Sequence, residues 1–127
     1  MSLIVVIEDN AQTSRLAEKL LHKAGHKVLI AEDGEAGLMA VMESQPDLVL
    51  IDLGLPDIDG QTIVALLRQQ TGLENLPLIA FTAWPEDTAR EMIKAYGLDG
   101  AIYKPIDTRK FAQDIALFLK DKNATPE

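Results

Sequence analysis

The sequence predicts an α/β domain: an open, doubly wound, five-stranded parallel sheet in the order 2-1-3-4-5, a (βα)5 chain with helices on both faces. Three observations carry this expectation. Short apolar runs alternate with amphipathic stretches five times along the 127 residues, and such alternation builds a parallel sheet covered by helices. Three of the runs are continuous rather than alternating, as strands buried on both faces are. Right-handed crossovers then leave few topologies.

The elements follow in order. Leu3-Ile4-Val5-Val6-Ile7 is the first continuous run. Thr13, Leu16, Ala17, Leu20, Leu21 and Ala24 keep the three-four spacing of one helix face, and Gly25 stands where a glycine cap belongs. Val28-Leu29-Ile30 is a shorter strand, placed nearer a sheet edge. Segment 35–44 is helical with a less regular stripe, and Pro46 stops it before the third strand, Leu48-Val49-Leu50-Ile51. Segment 61–70 is the third helix, and Pro77 precedes the fourth strand, Leu78-Ile79-Ala80-Phe81. Ala89, Met92, Ile93 and Tyr96 mark the fourth helix, closed by Gly97. Ala101-Ile102-Tyr103 is a short fifth strand. Phe111, Ile115, Phe118 and Leu119 give the last helix, with Asp107 as its expected N-cap.

Composition bounds the function. The length fits one domain, assigned to 1–122, with 123–127 a tail or the start of a linker. Hydrophobic residues make up 47% and charged residues 25%, the balance of a soluble globular chain. No cysteine is present, which removes disulfide and thiol chemistry. No run is long enough to span a bilayer, and the N-terminus has no secretory pattern. A cytoplasmic location with no membrane contact is therefore expected. Twelve basic against twenty acidic residues give a net charge of −8, which repels a nucleic-acid backbone, so no nucleic acid is expected to bind this chain.

In an open parallel sheet, sites form beyond the carboxyl ends of the strands at the switch in strand order. The first strand ends at Glu8-Asp9, the third at Asp52, the fourth at Thr82 and the fifth at Lys104-Pro105. Four strands thus bring three carboxylates, a hydroxyl and an ammonium to one rim. Carboxylates crowded together need a compensating cation, and Mg²⁺, a hard ion that keeps several waters and few carboxylates, answers that need. A cation and a lysine facing one carboxylate describe a centre that takes up a phosphoryl group, because phosphoryl transfer depends mainly on positioning and on neutralising charge. An aspartate nucleophile would yield an acyl phosphate.

This set, with the loop Asp52-Leu53-Gly54-Leu55-Pro56-Asp57-Ile58-Asp59-Gly60, closely resembles the response-regulator receiver domains of two-component signalling, from about Leu3 to about Lys120. The resemblance implies a flavodoxin-like fold and a role for each residue. Asp52 matches the phosphoacceptor. Asp9 matches the acid that ligates Mg²⁺ directly, Glu8 the one that acts through water, and Gly54 the residue whose backbone carbonyl faces the metal. Thr82 matches the hydroxyl that moves toward the phosphoryl group. Ala83 matches the small residue that leaves access open and contacts phosphoryl oxygens through its N–H. Lys104 matches the phosphate-pairing lysine, whose bond to Pro105 is cis in the family.

The implied function is a switch, not an enzyme acting on a separate substrate. A phosphohistidine on a histidine kinase or histidine phosphotransfer protein would be the donor. A downstream protein target would read the change on the face of helix 4, strand 5 and helix 5, and the chain would be a monomer or a phosphorylation-dependent homodimer. Whether the domain stands alone or is part of a hybrid kinase or larger regulator stays open. The family's switch aromatic lies three residues before the lysine; here that residue is Ala101, with Tyr103 on the same strand face. Either Tyr103 takes over part of that role, or Thr82 moves without an aromatic partner.

Each signal has a plainer explanation. Glu8-Asp9 alone could cap the first helix, Asp52 could be a loop residue, and Lys104-Pro105 a turn. Their joint occurrence on one rim favours the switch. His22 and His26 lack a third ligand for zinc. Asp57-Ile58-Asp59-Gly60 has one piece of a calcium loop and not the rest. A haloacid-dehalogenase-type phosphatase would need an aspartate at position 54, where Gly54 stands, and a flavodoxin would not place Glu8-Asp9 against a flavin phosphate. A receiver degenerated to a docking module is a third alternative, supported only by Ala101. Trp84, beside the site, is either a packing residue or a shield for the acyl phosphate.

Overall fold

The computed structural model describes residues 2–123. Within them β1 (Leu3–Ile7), α1 (Ala11–Lys23), β2 (Lys27–Ala31), α2 (Gly34–Ser44), β3 (Leu48–Asp52), α3 (Gly60–Arg68), β4 (Leu78–Thr82), α4 (Glu86–Tyr96), β5 (Gly100–Tyr103) and α5 (Phe111–Asn123) alternate along the chain. All strand pairs are parallel and the order is β2-β1-β3-β4-β5, as expected. Of the expected tail, Asn123 closes α5, and 124–127 lie outside the described residues.

The continuous apolar runs have their physical reason in two separate cores. Along β1, Val5 and Ile7 face one core and Ile4 and Val6 the other. Along β3, Val49 and Ile51 part from Leu48 and Leu50 in the same way, and along β4, Leu78 and Ala80 part from Ile79 and Phe81. The first core is covered by Val41 of α2 and by Ile63, Val64 and Leu67 of α3, with Met92, Ile93 and Tyr96 of α4 packed against it. The second is covered by Ala17 and Leu21 of α1 and by Phe111, Ile115 and Leu119 of α5. Strand residues alternate in direction, so a central strand with helices on both faces must be apolar at every position. β3 and β4 are buried throughout, whereas the edge strands β2 and β5 are partly exposed.

Helix ends follow their caps. Gly25 and Gly97 adopt left-handed φ of +96° and +80° after α1 and α4, where a side chain would be strained. Asn10 caps α1 through an Oδ1 that accepts the Thr13 N–H at 2.9 Å. Asp107 does not cap α5 itself. Its Oδ1 accepts from the Arg109 N–H at 3.0 Å and opens a turn that leads into the helix at Phe111; the acid acts one turn earlier than expected.

At the end of the sheet away from the carboxyl rim, Arg68 gathers the loops. Its Nη1 donates to the carbonyls of Leu73, Glu74 and Leu76, and its Nη2 to the Gly97 carbonyl and, at 2.8 Å, to Asp99. Asp99 also accepts the Leu78 N–H that opens β4.

Candidate functional site

β1, β3, β4 and β5 deliver the expected residues to one rim. Ligand oxygens of Glu8, Asp9 and Asp52 all lie within 4.8 Å of one another. Glu8, Asp52 and Thr82 are buried, while Asp9, Gly54 and Ala83 are exposed. Two of the three acids are thus buried and the third reaches solvent.

Lys104 ties the floor together. Its ammonium pairs with Glu8 Oε1, stands 3.5 Å from Asp52 Oδ2 and lies 4.9 Å above the Phe81 ring. The Lys104 N–H donates to the Thr82 carbonyl at 2.8 Å, and the bond to Pro105 is cis, as the resemblance implied. Glu8 Oε2 accepts the Asn10 N–H at 3.0 Å, whereas Oε1 has the ion pair but no well-directed hydrogen bond. Burial raises the Glu8 carboxyl above its ordinary value. Lys104 and the Asn10 N–H pull it down in part, and the neighbouring Asp52 pushes it up again.

The third strand's loop folds back on the site. The Gly54 N–H donates to Asp52 Oδ1 at 2.8 Å. Asp59 caps α3 by accepting the Thr62 N–H at 2.8 Å, and its carboxyl is held below the usual range by that bond. Asp57 reaches further: its two oxygens accept the N–H groups of Gly34 and Glu35, which hold its carboxyl low as well. Both aspartates are thus occupied at helix N-termini, which accounts for them without a calcium loop. The plainer explanation of Glu8-Asp9 as the cap of α1 fails, because Asn10 holds that place.

Thr82 Oγ1 accepts the Trp84 N–H at 3.0 Å, and Trp84 is 36% exposed. Ala101 is half-buried against the core that α4 covers, and Tyr103 is 37% exposed at the end of β5. No aromatic ring therefore stands at position 101 to follow Thr82.

Chemically, two buried acids and one exposed one around a small space fit a hard divalent cation. The crowded carboxylate oxygens are what such an ion would relieve. Sequence reasoning missed Asn10, Asp57 and Arg68. Asn10 carried a readable signal, an Asx residue three before Thr13; the other two act across the fold.

Comparison with known proteins agrees with the fold. The family model of the response regulator receiver domain matches residues 4–116. The polar-differentiation response regulator DivK of Brucella anthropi is 30% identical over 118 residues, spanning 93% of this chain and 96% of its own. The chemotaxis response regulator CheY4 of Vibrio cholerae superposes with a TM-score of 0.87 at 21% identity, covering 93% of this chain and 98% of its own. The receiver domain of a signal-transduction histidine kinase from Syntrophus aciditrophicus gives 0.86 at 21% identity, covering 100% and 96%.

Proposed function

Because the chain belongs to the response-regulator receiver domain family, we propose that it is a phosphoacceptor switch whose Asp52 takes a phosphoryl group from a phosphohistidine donor in the presence of Mg²⁺. The observation that carries this reading is the meeting of Glu8, Asp9 and Asp52 within 4.8 Å, with the Lys104 ammonium 3.5 Å from Asp52.

Asp9, Asp52 and the Gly54 carbonyl would hold Mg²⁺, and Glu8 would act through its water. When bound, the ion neutralises charge on the phosphoryl oxygens. An oxygen of Asp52 forms the bond to phosphorus as the donor's P–N bond breaks. The electron pair stays on the imidazole nitrogen, which takes up a proton. Lys104 is shared between Glu8 and Asp52 in the present state; it turns its ammonium to the incoming phosphoryl group, where negative charge grows. Thr82 gives up the Trp84 N–H and donates a hydrogen bond from its hydroxyl to a phosphoryl oxygen, and the Ala83 N–H supplies a second donor. The small side chain of Ala83 leaves the approach open. The chain promotes its own phosphorylation and dephosphorylation and turns over no separate substrate.

The modified Asp52 carries a dianionic group comparable in charge to other phosphorylated residues. Drawing Thr82 and Lys104 toward it moves the β4–α4 loop and the face of α4, β5 and α5. That face carries the exposed Tyr103 and Leu117, suited to a protein target that distinguishes the two states. With Ala101 in place of an aromatic, the Thr82 shift reaches this face through the loop and Tyr103. A histidine kinase or phosphotransfer protein would supply the phosphoryl group in the cytoplasm, and the switch would act as a monomer or as a phosphorylation-dependent homodimer.

The nature of the bond tests the reading. Phosphate introduced with Mg²⁺ and a small acyl phosphate donor is expected to be released by neutral hydroxylamine, as an acyl phosphate is. A hydroxylamine-stable label would place the phosphate elsewhere and overturn the proposal.

A further inference from the structure

The loop that carries Gly54 is held by a residue to which the receiver reading gives no task. Gly54 itself is tethered to Asp52, the flanking Leu53 and Leu55 are buried, and Asp59 is committed to capping α3. Between these anchors, Asp57 is the polar side chain that ties segment 55–58 to another element among the described residues. Its Oδ1 accepts the Gly34 N–H at 2.8 Å and its Oδ2 the Glu35 N–H at 3.1 Å.

These bonds complete the start of α2. A helix leaves its first N–H groups without intrahelical partners. Here the Ala36 N–H goes to the Asp33 side chain at 2.8 Å and the Gly37 N–H to the Asp33 carbonyl. The Gly34 and Glu35 N–H groups go to Asp57, from 23 and 22 residues away. The local cap and the remote one divide the helix end between them. Glycine at 34 permits the approach: a Cβ there would stand 2.9 Å from Ile58 Cβ and 3.2 Å from Asp57 Oδ1.

We infer that Asp57 is a positioning residue for cation binding: by fastening the β3–α3 loop to the N-terminus of α2, it holds the Gly54 carbonyl where Mg²⁺ is bound. This rests on the receiver reading and extends it to a residue that touches neither the ion nor the phosphoryl group. The alternative is that Asp57 merely stabilises α2, a role Asp33 also fills and which therefore has an internal control.

The test is a Mg²⁺ titration of the full chain, followed by the amide resonances of Asp52 and Gly54, with thermal unfolding measured in parallel. Asp57→Ala is expected to weaken Mg²⁺ binding by about tenfold, the lower end of what loss of an outer support for a metal ligand costs. Gly34→Ala, which changes no charge, should weaken it in the same direction. Asp57→Asn, which keeps one acceptor oxygen, should fall between. Asp33→Ala removes an acid and a cap from the same helix end; it should lower the unfolding temperature while leaving Mg²⁺ affinity at the wild-type value. Equal affinity in Asp57→Ala and wild type would overturn the inference, as would an equal loss in Asp33→Ala. A wild-type chain with no Mg²⁺-dependent shift at Asp52 and Gly54 would overturn the receiver reading as well, so the two failures are distinct.

Discussion

Gly37 is where two opposing effects of one methyl group can be weighed. It lies inside α2, and a Cβ built on it would stand 2.5 Å from Ile7 Cδ1, 2.7 Å from Cγ1 and 2.9 Å from Cγ2. Ile7 is fully buried and precedes Glu8. Helix propensity alone makes Gly37→Ala favourable by about 1 kcal/mol. Overpacking opposes it by about 1–3 kcal/mol, and the upper part of that range applies because three atoms of one β-branched side chain are struck at once. The expected net result is a loss of about 1–2 kcal/mol, or roughly 4–8 °C in unfolding temperature for a domain of this size. Ile7→Val removes the nearest atom at a cost of about 1 kcal/mol by itself. In the double variant the costs should not add, and a coupling of about 1 kcal/mol is expected. Urea unfolding of the four proteins measures the cycle. A more stable Gly37→Ala, or strictly additive variants, would refute the packing argument.

Other substitutions probe the remaining parts. Burial raises the Glu8 carboxyl above its ordinary value, so its contribution to stability is present below about pH 4.5 and is lost as pH rises through the folded-state pKa. Glu8→Gln should therefore gain stability over wild type at pH 7 but not at pH 4 in metal-free urea unfolding, and it should bind Mg²⁺ more weakly; parallel pH profiles would contradict this. Arg68→Ala should cost about 2 kcal/mol, since charge-assisted hydrogen bonds to four carbonyls and Asp99 are lost, with partial exposure keeping the figure low. Arg68→Lys should recover less than half, because an ammonium cannot span that set of acceptors; full recovery in thermal unfolding would show that charge alone matters. If Trp84 shields the acyl phosphate from water, Trp84→Ala should shorten the phosphorylated half-life roughly threefold, under 1 kcal/mol of barrier, and an unchanged half-life removes that role.

What could be read from the sequence was what local pattern encodes. Leu48–Ile51 and Leu78–Phe81 announced strands with helices on both faces because both sets of alternating residues are needed for two cores. The rim residues were legible because a strand's end fixes where the next residue goes, and that places Glu8, Asp9, Asp52, Thr82 and Lys104 on one rim. Asp107 shows the limit of that reasoning. An acid ahead of a helix marks a start, but the turn at 108–110 intervenes, and the cap lies a turn away from Phe111. Asp57 and Arg68 were not legible at all. Their partners are Gly34, 23 residues away, and Asp99, 31 residues away, and no local period reports an approach that tertiary packing creates. The pairing of Lys104 with Glu8 as well as Asp52 was equally hidden, since it depends on how deeply β1 and β5 carry their last side chains.

The central claim is that Asp52 accepts a phosphoryl group. Intact mass after incubation with Mg²⁺ and acetyl phosphate tests it most directly, on wild type and Asp52→Asn, with a known receiver labelled alongside. A single phosphate-sized adduct that requires Mg²⁺ and is missing from Asp52→Asn is the expected result. A folded wild-type chain that takes no label while the control receiver does, or an Asp52→Asn chain labelled as fully as wild type, would contradict it.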